Sequence, residues 1–384
     1  MVLDRAVPPE LREELVERLA YAGEHVRRCS VSPDGHSIEV IVDSPGHEES
    51  TVSAVRQIVN ALLDGYREID KVTLWRHQVA PACREPIWEE MLNQGLLIQE
   101  GPGCIALLGD AARVALALDA VYERLAQDVF SAVPEQYPTL IPIASMERCD
   151  YLSSFPHHVT LAAHFRENVE SIAEIAAGSP ETRKNAIQEA LAPATHMLSP
   201  AVCFHTYARL AGHRPRAPLT ITAVGRCFRW ESTNFNTVER LWDFTMREIV
   251  FVGPSVWVEE RRQLALETIK RLVEELWLDA SIDLASDPFF INRFAAKRFH
   301  QLLTHGKYEL KLSLPYSGGV LSAGSFNIHE DFFGRAFGIH GQTEGFASTG
   351  CVAFGIERWV WALFAQHGPN LIAWPKVARV RLGL

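Results

Sequence analysis

Gly225-Arg226-Cys227-Phe228-Arg229-Trp230-Glu231, then Arg240-Leu241-Trp242-Asp243-Phe244-Thr245-Met246-Arg247-Glu248, and some hundred residues later Thr349-Gly350-Cys351-Val352-Ala353-Phe354-Gly355-Ile356-Glu357-Arg358 are the segments on which the fold turns. Ala217 to Arg229 and Val238 to Val252 read as two strands. The polar run Ser232-Thr233-Asn234-Phe235-Asn236-Thr237 between them is long enough for a hairpin. Arg229 and Glu231 are two apart and are expected on one face. Gly350 and Gly355 would permit close backbone approach, and Arg358 opens a helical run, Trp359 to Gln366. Taken singly, Arg229, Glu231 and Arg358 read equally well as ordinary ion-pair partners in a sheet and a helix.

In this order and at this separation the segments resemble motifs 2 and 3 of class II aminoacyl-tRNA synthetases. The resemblance implies an α+β fold: an antiparallel sheet flanked by helices, holding ATP. It makes Arg229, Glu231 and Arg358 the candidate catalytic residues. Arg229 would clamp an α-phosphate oxygen through its planar fork, where negative charge grows in the transition state. Arg240 and Phe244 would take the adenine between a guanidinium plate and a ring, and Arg358 would reach the γ-phosphate. Lys307-Tyr308-Glu309-Leu310-Lys311-Leu312-Ser313-Leu314-Pro315 resembles the strand before the magnesium and amino acid region of seryl-tRNA synthetases, which adds Glu309 to the ATP set. Gly324-Ser325-Phe326-Asn327 and Asp331-Phe332-Phe333 resemble that family's next elements, and place Ser325 and Asn327 at the amino acid. One departure is visible. Val320 and Leu321 stand where that family carries a metal-binding glutamate, which leaves Glu231, Glu309 and Ser325 as candidates for Mg²⁺.

In Leu198-Ser199-Pro200-Ala201-Val202-Cys203-Phe204-His205, a cysteine stands where common bacterial seryl enzymes place a glutamate for the substrate amine. Glu248 lies four residues, and hence the same face, from Phe244. Cys351 begins the motif 3 strand. Two thiolates and a carboxylate would hold Zn²⁺ with a fourth position open for a neutral α-amine. Spacing alone favours the other reading, in which Cys203 and Cys351 are small buried hydrophobes. Cys149 and Cys227 are competing ligands. The Cys203/Glu248/Cys351 set, with an insertion between motifs 1 and 2, resembles methanogen-type seryl-tRNA synthetases. It resembles more closely their truncated bacterial relatives, the amino acid:[carrier protein] ligases. That implies activation of a small amino acid (glycine, alanine or serine) as its adenylate. Transfer to the phosphopantetheine thiol of a holo carrier protein would follow.

Outward from these motifs, Asp110 to Val129 reads as a helix. The proline-flanked strand Gln136 to Ile143 follows it, in the manner of the motif 1 dimer element. Residues 164–197 are polar and helical, broken at Gly178-Ser179-Pro180. Ser255 to Leu278 and Asn292 to Leu303 read as helices. Residues 1–100 form an expected α+β module: a helix from Pro8-Pro9 to about Ala22, a strand Ser37 to Val42, a helix Glu48 to Tyr66 and a strand Lys71 to Val79. Residues 101–384 would be the catalytic domain.

With 384 residues, 47% hydrophobic and 22% charged, the chain has the composition of a globular protein with a large core. Met1 to Glu14 lacks the apolar stretch of a signal peptide, and no apolar run approaches a membrane span. Seven scattered cysteines without CxxC spacing fit a reducing cytoplasm. The net charge of −10 and the lack of a recognisable tRNA-binding arm point away from tRNA. On the helix Asn292 to Leu303, Arg293 and Lys297 share a face and Arg298 adjoins them, a basic surface for an acidic carrier protein, or else a solvated amphipathic helix. The expectation is a homodimeric ligase. Its rivals are a minimal seryl-like aminoacyl-tRNA synthetase and a catalytically idle regulatory paralogue.

Overall fold

The computed structural model describes residues 1–43, 46–64, 66, 72–232, 235, 237–286, 302 and 304–384. Its frame is an eight-stranded sheet of β1 (Thr73–His77), β2 (Val133–Pro134), β3 (Leu219–Phe228), β4 (Asp243–Gly253), β5 (Ala280–Leu284), β6 (Lys307–Leu314), β7 (Gly319–Glu330) and β8 (Ser348–Gly355). The strand order is β1-β5-β6-β7-β8-β4-β3-β2, antiparallel throughout except for the short parallel pairing of β2 with β3.

The helices that carry the argument are α1 (Pro9–Leu19), α2 (Glu48–Asp64), α3 (Gly109–Phe130), α4 (Cys203–Arg209), α5 (Ser255–Glu275), α6 (Phe332–Phe337) and α7 (Ile356–His367). Side chains alternate across a strand, so β4 and β8 each feed two cores. Ile249, Phe251, Val352 and Phe354 join the core under α3, α5 and α7. Met246, Val250, Cys351 and Ala353 join the opposite one, with residues of α4 and α6. Both faces are covered, and this explains why Met246 to Gly253 is buried without a break. Arg247 breaks the apolar pattern of its face: Nη2 donates to Asp119 of α3 at 3.0 Å and Nη1 to Thr222 of β3 at 3.2 Å. A buried arginine needs this pairing.

Three boundaries differ from expectation. The N-terminal module does not run to residue 100. Its own core is built from Val7 to Tyr66, on α1, α2 and the hairpin Val26–Val31/Ile38–Val42, whereas β1 adds to the edge of the catalytic sheet by pairing with β5. The proline-flanked strand expected over Gln136 to Ile143 is shorter. Leu140–Pro142 pairs with His196–Leu198, and the earlier Val133–Pro134 supplies β2. The insertion forms a helical hairpin, Val169–Ala177 and Pro180–Ala190, capped by the side chains of Asn168 and Ser179. The pairing of Leu161–Ala162 with His196–Leu198 closes its base. No helix among the described residues is long and apolar enough to cross a membrane.

Candidate active site

One cleft of about 1430 Å³ opens over the β6-β7-β8-β4 face of the sheet. It is larger than the ~300–1,000 Å³ usual for a single small ligand, and has room for a nucleotide with a second substrate. At its floor the Cys203 and Cys351 sulfurs and a Glu248 carboxylate oxygen lie within 4.8 Å of one another, all three residues buried. They come from three elements. Cys203 opens α4, and its backbone N–H donates to Glu248 Oε2. Glu248 projects from β4. Cys351 projects from β8, opposite Val250 on one side and Asn327 on the other. Two thiols and a carboxylate this close match the donors and spacing of a zinc tetrahedron, in which neighbouring ligand atoms stand roughly 3–4 Å apart. Among the described residues no other such group occurs. Cys149 instead donates to Met146 O at 3.4 Å, and Cys227 is buried opposite Phe244, four ladder positions from Glu248.

Burial first, then the neighbouring Cys351 thiolate, push the Glu248 carboxyl up to about 8 against the opposing Cys203 N–H and Arg229. The hydrogen bond from Cys203 holds Cys351 below the ordinary thiol value, and the same bond, with burial, lifts Cys203 above it. Asn327 Nδ2 donates to Cys351 Sγ at 3.4 Å and to Ser325 Oγ at 3.0 Å. Asn327 thus orients a candidate ligand while it lines the cleft. Sequence reasoning missed His329, whose Nε2 is 3.9 Å from Cys351 Sγ and whose Nδ1 faces Tyr207 Oη at 3.4 Å and Thr349 Oγ1 at 3.3 Å. Alternation from Ser325 and Asn327 points to it. Phe333 lines this end of the cleft and is backed by the buried Tyr207 ring, stacked on it at 4.3 Å.

The nucleotide residues sit beside this floor. β3 ends at Phe228, so strand alternation does not place Arg229 and Glu231; Arg229 N still donates to Trp242 O at 2.9 Å before the chain leaves the sheet. Both nonetheless line the cleft. Arg229 Nε donates to Pro200 O at 3.0 Å, and its guanidinium stands 5.5 Å from the centre of the Phe244 ring. Arg240 lines the same cleft as Phe244. It binds Glu231 at 2.9 Å and Glu17 of α1. Arg358 Nη1 donates to Ser322 O at 2.9 Å. Burial lowers its pKa, and the charges of Glu231, Arg240, Arg229 and Glu309 act on it, so these residues converge. Burial would raise Glu309, but Lys307 at 2.9 Å and the Ser322 hydroxyl at 2.8 Å outweigh it and hold the carboxyl below its ordinary value. Gly350 is tight as expected, since a Cβ there would lie 2.7 Å from Asn327 O; at Gly355 the nearest atom would be 3.9 Å away, so the close approach expected there is absent. The basic helix expected over Asn292 to Leu303, with Arg293, Lys297 and Arg298, lies outside the described residues apart from Leu302.

No protein-family model matches the chain. It is 33% identical over 287 residues to amino acid–[acyl-carrier-protein] ligase 1 of Bradyrhizobium diazoefficiens, covering 72% of this chain and 85% of that protein. The chain belongs to the amino acid–[acyl-carrier-protein] ligase family. A second ligase of this name from the same organism is 33% identical over 258 residues, 74% of its length. The family's likeness to synthetases is also present. The type-2 serine–tRNA ligase of Methanopyrus kandleri is 28% identical over 260 residues, but this ligase-family chain spans only 49% of it. The crystal structure of A. aeolicus tRNASec in complex with M. kandleri SerRS superposes with a TM-score of 0.74 at 23% identity, over 100% of this chain and 76% of that one. The fold is that of a class II synthetase.

Proposed function

We propose that the protein activates a small amino acid with ATP and passes it to the phosphopantetheine thiol of a carrier protein. The observation that carries this is the shared cleft: the Cys203/Glu248/Cys351 floor adjoins Arg229, which also neighbours the ATP residues. Cys203, Glu248 and Cys351 would hold Zn²⁺, which when bound supplies a Lewis-acid position for a neutral amine. Glu231 and Glu309 offer the oxygen donors that suit Mg²⁺, which would offset phosphate charge. Phe244 provides a ring for the adenine. An oxygen of the amino acid carboxylate attacks the α-phosphorus in line, the bond to the bridging oxygen of the β-phosphate breaks, and pyrophosphate leaves. Arg229 stabilises charge at the α-phosphate, and Arg358 binds the departing end. The protein's part is positioning and charge stabilisation. The thiol sulfur then attacks the adenylate carbonyl, AMP leaves, and the thiol loses its proton as the thioester forms. Capture of the amine by zinc favours an amino acid without a bulky side chain: glycine, alanine or serine.

Residues 1–66 support a thiol acceptor over tRNA. They carry twelve acidic and six basic side chains, and α1 borders the cleft. RNA phosphates are repelled by such a surface. Transfer to tRNA is the second reading, favoured by the fold of the tRNA-bound synthetase. A homodimer is supported by the exposed Val133 on the free edge strand β2, with Leu140 and Leu161 also exposed nearby in the chain. The seven free cysteines suit a reducing cytoplasm. The test is amino acid-dependent ATP–pyrophosphate exchange on metal-analysed protein, alongside Cys203→Ala. Exchange with one small amino acid and about one zinc per subunit, both lost in the variant, is expected. ATP binding without exchange for any of the twenty amino acids would refute activation and favour an idle paralogue.

A further inference from the structure

We infer that α1 of the N-terminal module is a wall of the adenylation site, and that Glu17 is a positioning residue for Arg240. The inference rests on reading the cleft as an ATP site. On one side of α1, Leu11, Leu15 and Leu19 fill the module's own core. On the other side Glu14, Glu17, Arg18 and Tyr21 do not face bulk water but line the cleft. Glu17 on the last turn of α1, and Ala20 and Tyr21 in the turn that ends it, each grip the segment that follows β3. Glu17 accepts from Arg240 Nη2. The Ala20 carbonyl accepts from Ser232 Oγ at 3.3 Å, and Tyr21 Oη donates to Trp230 O at 3.0 Å. Tyr21 also meets the His157 ring edge-on at 5.6 Å.

Three bonds from the C-terminal end of α1 to one loop make a built contact. Arg240 is a long side chain with about 2 kcal/mol of rotamer entropy to lose on binding. Flanked by Glu17 and Glu231, it is already held inside the cleft before nucleotide arrives, and the arginine in turn keeps Glu231 beside Arg229 and Arg358. Glu17 thus acts through Arg240 without touching the reacting atoms.

The test is direct ATP binding by titration calorimetry, with exchange kinetics, on wild type, Glu17→Gln, Glu17→Asp and Tyr21→Phe, all in the full chain. Glu17→Gln is expected to weaken ATP binding and raise the KM for ATP about three- to tenfold, the size of a part-exposed ion pair. The KM for the amino acid and the Tm would stay unchanged. Glu17→Asp should recover part of the loss. In an Arg240→Lys background, Glu17→Gln should add less than it does alone, since residues acting through one contact are not additive. ATP affinity in Glu17→Gln equal to wild type would overturn the inference and leave the ATP reading standing. Tighter ATP binding would also overturn it, because Glu17 would then compete with nucleotide. A wild type that binds no ATP refutes the reading of the cleft, and this inference with it.

Discussion

Glu248 carries a prediction that separates a metal ligand from an ordinary buried carboxyl. In the metal-free protein its pKa is raised from an ordinary 4.5 to about 8, chiefly by burial. The folded state therefore keeps a proton that the unfolded chain releases near 4.5. Stability contributed by this group is complete below that pH and is lost as pH rises, at about 1.4 kcal/mol per unit, up to about 8. The whole loss is on the order of 5 kcal/mol, comparable to the net stability of a domain. Glu248→Gln cannot titrate, and its amide oxygen can still accept from the Cys203 N–H. Urea midpoints of metal-free wild type and Glu248→Gln between pH 5 and 8 would isolate the effect. Wild type should lose ground steadily to the variant as pH rises. Zinc should reverse the order at pH 7–8, because only the carboxylate is a strong ligand. A wild type-minus-variant difference that stays flat within about 1 kcal/mol from pH 5 to 8 would refute the reasoning.

Three further outcomes follow from the geometry. Arg229→Lys, which loses the planar fork, should slow exchange by about 10²–10³ and leave the KM for the amino acid nearly unchanged, as read by steady-state exchange kinetics. Gly350→Ala would put a Cβ 2.7 Å from a backbone oxygen and 2.8 Å from Val258, and should cost about 1–3 kcal/mol in thermal unfolding; Gly355→Ala, with 3.9 Å of room, should lose under about 1 kcal/mol. Cys227→Ala should retain bound zinc by elemental analysis, whereas Cys203→Ser should retain far less, since only Cys203 belongs to the converging set.

The sheet was legible because its strands alternate and its glycine-marked motifs are local. The joining of Glu248 to Cys351 followed from the same alternation, because both lie on strands that pair directly. Cys203 was not reachable by spacing. It meets Glu248 because the chain turns into α4 there and aims a backbone N–H at the carboxylate, a tertiary event that only family likeness suggested. His329 continues the period-2 series of Ser325 and Asn327 and was legible by alternation, but it stands outside the motif elements from which the site was read. β1 looked like part of the N-terminal module because sequence proximity says nothing about which sheet edge a strand will join. The polar face of α1 carried no pointer to the cleft, since charged residues at helical spacing look the same whether water or a cleft covers them. The carboxylate partners of Arg240 could not be read from the sequence, because they lie 9 and 223 residues away.

The central claim is thioester formation on a carrier protein, and intact-mass analysis tests it most directly. Holo acyl carrier protein would be incubated with the zinc-loaded enzyme, ATP, magnesium and the amino acid that supports exchange, with bulk tRNA in a parallel reaction. The account predicts that the holo carrier gains the mass of one aminoacyl group, released by hydroxylamine, while the apo carrier and the tRNA gain nothing. An enzyme that exchanges pyrophosphate but charges tRNA, leaving the holo carrier unmodified, would contradict it.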